Sequence, residues 1–90
     1  MSDEPPVWIE QTARTHGVTD DDMRHALTHR LHVSELPTDD DSERVLILGP
    51  HRAGNPLELV ALLVDDGAVV IHAMALRARY RSLLERKPQR

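Results

Sequence analysis

The chain has no cysteine and no phenylalanine, one tryptophan, one tyrosine, and no long apolar run. Without cysteine there is no disulfide framework and no thiolate metal site, so the usual staples of small secreted domains are excluded. With aromatics at 2% against 40% hydrophobic residues, the core must come from Leu, Val, Ile, Ala and Met. Trp8 and Tyr80 stand out against that background. No apolar stretch approaches the roughly 18 residues needed to span a bilayer, and Asp3 and Glu4 stand where a signal peptide would be basic. The expectation is a cytoplasmic, bacterial-type protein with no membrane association.

What is present is one domain's worth of sequence. Ninety residues support one hydrophobic core and not two. The net charge of -4 hides an asymmetry: residues 1–43 carry eleven acidic and three basic side chains, whereas residues 44–90 carry eight basic and four acidic ones. A basic patch acts over about a Debye length of 8 to 10 Å, so an acidic global balance does not exclude an anionic partner. Plain surface solvation accounts for such charges equally well.

The pattern predicts an α+β fold: two N-terminal helices, a three- to four-stranded antiparallel meander and one C-terminal helix. Pro5 and Pro6 suit the first turn of a helix running to His16, where Gly17 fits the left-handed position that ends it. Thr19 reads as the N-cap of a second helix over about 20–30, with Asp20, Asp21 and Asp22 complementing its dipole and Met23, Ala26 and Leu27 forming its apolar stripe. A short strand is expected at Leu31–Leu36, then an exposed loop over 37–43. Apolar runs at Arg44–Gly49, Leu57–Val64 and Ala68–Met74 read as further strands. Asp65-Asp66-Gly67 signals a hairpin in which Gly67 supplies a positive φ, and Gly49–Pro56 a longer loop. The last helix should run from Leu76 to about Arg86, with 1–5 and 87–90 fraying.

Three groups of residues invite chemistry. His25, His29 and His32 have metal-ligand spacing, but the first two fall on the solvent side of their helix without a bracing carboxylate, so no metal is assigned. The loop from Gly49 to Pro56 lacks the lysine of a phosphate-binding loop and leads into a strand, which leaves Arg52 as a contact for an anionic partner or, more simply, an ordinary connecting-loop residue. The third group joins a strand to a helix. Alternation sets His72 on one face with Val70 and Ala68, and Arg77, Arg79, Arg81 and Arg86 flank Tyr80 on the helix that follows. Arginine grips phosphate bidentately and histidine trades protons near neutrality. Together they suit an RNA backbone whose 2'-hydroxyl attacks its own phosphate. An arginine-solubilised terminal helix is the plainer alternative.

His16-Gly17-Val18-Thr19 before an acidic helix, the strands Val45–Gly49 and Leu57–Leu62, and Val70-Ile71-His72-Ala73 leading into an arginine-rich helix resemble the BrnT family of bacterial ribonuclease toxins. The resemblance implies a RelE-like α+β fold, metal-independent cleavage of mRNA without a cofactor, and neutralisation by a cognate antitoxin. The family's last strand reads approximately RIISAR. Here His72 stands at its serine and Met74 at its arginine, while Arg79 matches the helix arginine and Tyr80 replaces the glutamate after it. On this reading His72, Arg77, Arg79 and Tyr80 are catalytic, and Arg52, Arg81 and Arg86 bind RNA. The alternatives are a non-catalytic module that binds protein or nucleic acid through the basic helix, and a homodimer pairing acidic front with basic tail.

Overall fold

The computed structural model describes residues 5–85. Residues 1–4 and 86–90, with the fraying expected there and Arg86, lie outside the described residues. The elements are β1 (Val7–Ile9), a 3-10 turn (Gln11–Arg14), α1 (Asp20–Thr28), β2 (His32–Leu36), β3 (Glu43–Pro50), β4 (Pro56–Val64), β5 (Gly67–Ala75) and α2 (Ala78–Glu85). They form a five-stranded mixed sheet in the order β1-β5-β4-β3-β2. The strands β2 to β5 run antiparallel to one another, and β1 lies parallel to β5.

This corrects the expected fold, which had two N-terminal helices and a sheet of three or four antiparallel strands. The segment after Pro5-Pro6 is a strand and a short 3-10 turn. Its residues admit both periods. Val7 and Ile9 alternate with Trp8, and β5 offers an edge on which their backbone pairs: Ala68 N–H donates to Pro6 and Glu10 N–H to Val70. Val7 and Ile9 pack against the core, and Trp8 stays half-exposed. Helix propensity is weak enough to lose to such pairing.

Instead of the single core expected for this length, the two faces of the sheet carry separate buried clusters, because α1 covers one face and α2 the other. On one, Met23 and Ala26 of α1 and Ala13 of the 3-10 turn are fully buried against Val45, Ile47, Leu57, Leu59, Ala61, Val70 and Ala73. α1 begins as its sequence dictates, with the Thr19 hydroxyl accepting from Asp22 N–H at 3.1 Å, a cap that contributes about 1 kcal/mol. On the other face, Leu46 and Leu48 lie under Leu76, with Tyr80, Leu83 and Leu84 of α2 around them. No residue of α2 is fully buried, so that helix caps its core lightly.

Two glycines are held by close backbone contacts, and one of them acts otherwise than expected. Gly67 does not take a positive φ; β4 turns through Asp65-Asp66 with Val64 opposite Gly67, and a side chain at 67 would strike the Pro6 carbonyl and the Trp8 ring. Gly49, where the expected strand meets the expected loop, lies inside β3, and a Cβ there would collide with the Ala26 backbone of α1. Gly17 does take the left-handed conformation, at φ 81°, after the 3-10 turn.

Gly49→Ala should therefore lower stability by about 1–3 kcal/mol, the usual cost of overpacking, read as a fall in the urea midpoint. An unchanged midpoint would mean that α1 does not seat on β3 at this point.

Candidate functional site

Along β4, Leu57, Leu59 and Ala61 face the α1 core, and Glu58 and Val60 point to the other side. Glu58 has no solvent exposure, although its neighbours are apolar. A buried carboxylate costs several kcal/mol unless it is paired and its lone pairs are filled. Here they are filled almost entirely by one arginine. Oε1 accepts from the Arg77 backbone N–H at 3.0 Å and from its Nε at 3.1 Å, while Oε2 accepts from Nη2 at 2.6 Å and from Nε at 3.0 Å. His72 Nε2 lies 3.2 Å from Oε2.

Burial pushes the Glu58 carboxyl up, but the hydrogen bonds from the Arg77 side chain and backbone and from His72 outweigh it and hold the group below its ordinary value of 4.5. At neutral pH Glu58 is an anion and can only accept. The proton between it and His72 therefore sits on His72 Nε2, which leaves Nδ1 of a neutral ring to take another. A carboxylate that orients an imidazole and stabilises the imidazolium it becomes is the arrangement of the hydrolase triads.

His72 reaches Glu58 because β5 is irregular. Val60 lies opposite His72 and Ala61 opposite Val70, so Ile71 is an extra residue without a partner on β4. Such a bulge reverses the side-chain phase beyond it. Val70 and Ala73 consequently share the α1 core, and His72 joins Val60 on the α2 face. Strict alternation had set His72 with Val70 and Ala68; the bulge overturns that.

Beyond β5 the chain does not enter the helix at Leu76 as expected. Leu76 N–H donates to Pro56, Arg77 turns back onto Glu58, and α2 begins at Ala78. The Arg77 side chain is still 43% exposed. The arginines at 77 and 79 both lie against the Tyr80 ring, at 5.7 and 4.9 Å from its centroid. Arg81 is exposed on the same helix. His16 also comes to this place, its ring meeting that of His72 edge to face with centroids 5.6 Å apart.

Thus the structure gathers His72, Arg77, Arg79 and Tyr80 and adds Glu58 and His16, which the sequence reading passed over. Glu58 had a signal, a lone charge inside an apolar strand; His16 had none, because its approach is tertiary. Arg52 is engaged elsewhere: its backbone N–H and Nε both donate to Asp22, at 3.0 and 2.8 Å. That backbone bond and then the guanidinium pull the Asp22 carboxyl down to about 2. His25 is half-buried rather than on the solvent side, with Nδ1 donating to the Pro50 carbonyl, and His32 faces Ser34.

No family model matches the chain, and no match is found among the curated proteins or the solved structures. Fold and site define a small α+β protein with a carboxylate-braced histidine at a strand-to-helix junction.

The balance at Glu58 has a pH signature. Its folded pKa is lowered, so the group adds stability above its unfolded value near 4.5 and loses it as pH falls through the folded value. In Arg77→Gln burial would prevail and raise the folded pKa, so the variant loses stability as pH rises. The gap in urea midpoint between native chain and variant should be widest near neutral pH and close as pH falls through the lowered Glu58 value. A gap independent of pH would show that Arg77 does not hold the Glu58 charge.

Proposed function

We propose that this chain is the toxin of a bacterial toxin–antitoxin pair, a ribonuclease that cleaves mRNA with its own side chains and is held inactive by a cognate antitoxin. The observation that carries the reading is His72, oriented by the buried Glu58 carboxylate and set beside exposed guanidinium groups. His72 Nδ1 serves as the base that takes a proton from a ribose 2'-hydroxyl. Arg77 offers the edge of its guanidinium not spent on Glu58, and Arg79, stacked on Tyr80, offers a second cation to the phosphate as charge builds on it. Arg81 extends the cationic track along α2. The resemblance to ribonuclease toxins in the order of the sequence segments supports the same reading.

A second reading is a non-catalytic module that binds nucleic acid or protein through α2. The commitment of Arg77 to a structural carboxylate and the exposure of Arg79 and Arg81 favour it. The two readings separate on one experiment. Inducible expression should arrest growth, and the purified chain should cleave RNA equally well in excess EDTA. His72→Ala should reduce cleavage by about 10²–10⁴-fold, the usual worth of a general base, and Arg79→Ala should relieve toxicity, both with the urea midpoint retained. Salt-sensitive RNA binding without cleavage would establish the binding module instead. Folded protein that accumulates without harm to growth or RNA would end the toxin reading.

A further inference from the structure

The approach of His16 to His72 is built into the fold. The segment before His16 is tied to the edge of β5 at the two residues preceding His72: Glu10 N–H donates to the Val70 carbonyl at 2.9 Å, and the Thr12 hydroxyl to that of Ile71 at 3.0 Å. Ala13, fully buried, anchors the 3-10 turn, and Gly17, at φ 81°, turns the chain away immediately after His16. The His16 ring is left exposed beside the imidazole that Glu58 orients.

We infer that His16 is the general acid of the site, the partner of His72 in cleaving a phosphodiester by transfer to the neighbouring 2'-oxygen. This rests on the ribonuclease reading and names its second proton carrier. With ring centroids 5.6 Å apart, the two imidazoles are close enough for one phosphodiester to meet each through a different oxygen, at the hydrogen-bond reach of about 3 Å that proton transfer needs. The roles follow from Glu58. His72 Nε2 donates to the carboxylate, which leaves Nδ1 as the ring's acceptor, so His72 is the base; His16, set edge to face beside it, is the donor. His72 Nδ1 removes the 2'-hydroxyl proton, the O2'–P bond forms, the P–O5' bond breaks, and protonated His16 gives its proton to the departing 5'-oxygen. The products are a 2',3'-cyclic phosphate and a 5'-hydroxyl. No oxidant, reductant or water is consumed, and proton exchange with solvent resets the pair.

The test uses the full chain and two short RNAs of the same mixed sequence, one natural and one with sulfur in place of the bridging 5'-oxygen at each cleavable linkage. A thiolate leaves without protonation, so it needs no acid. His16→Ala should cut cleavage of the natural RNA by about 10²–10³-fold, restore near-native rates on the sulfur-bridged RNA, and abolish the fall in rate on the alkaline side of the pH profile. His72→Ala should be slow on both. His16→Asn, with its urea midpoint measured, separates this from loss of folding. Equal losses on both RNAs, or unchanged cleavage of natural RNA by a folded His16 variant, would overturn the inference and leave the ribonuclease reading intact. A native chain that cleaves neither RNA would overturn both.

Discussion

The buried ion pair between Glu58 and Arg77 is the constraint on which the α2 side of this protein depends. A carboxylate sealed between apolar strands is tolerable only while its lone pairs are filled, and Arg77 supplies four of the five contacts that fill them. Meeting that demand holds the chain out of helix through Arg77, sets where α2 starts, and fixes the Arg77 guanidinium beside Tyr80. Buried ion pairs contribute little to net stability compared with apolar replacements, and specificity of structure is a recognised reason to keep one. Here the structure held in place is a histidine beside a strip of cations.

A second constraint is the extra residue in β5. The bulge at Ile71 lets a single strand serve the α1 core with Val70 and Ala73 while giving His72 to the opposite face. The same region takes the hydrogen bonds that dock the N-terminal segment, so the irregularity that turns His72 toward Glu58 lies where His16 is brought in. A site made from three distant stretches of chain thus rests on one local departure from pleat.

The charge asymmetry also looks different in three dimensions. Acidic residues in the front half do more than cap a helix: Asp20 pairs with Arg14 at 2.8 Å, and Asp22 holds Arg52 of the loop between β3 and β4. Arg52 and Arg77 thus both serve partly as countercharges, and the exposed cations of α2 carry more of the positive field than a count of basic residues suggests.

Much of the fold was legible from local rules. Thr19 with Asp20 to Asp22 specified the start of α1, since cap and dipole act within one turn. Short apolar runs bounded by turn residues specified β3, β4 and β5, because strands covered on both faces are apolar continuously. His72, Arg77, Arg79 and Tyr80 were legible as a group because they are close in sequence. Tertiary structure alone decided the rest. Val7-Trp8-Ile9 became a strand because a free sheet edge met it, Gly49 and Gly67 became contact points because other backbone lies against them, and His72 changed face at a bulge that no alternation rule reveals. The pairing of Glu58 with Arg77 and of His16 with His72 joins residues 19 and 56 positions apart. Such contacts are chosen by burial and by the sheet's register, which residue types and their spacing along the chain do not encode.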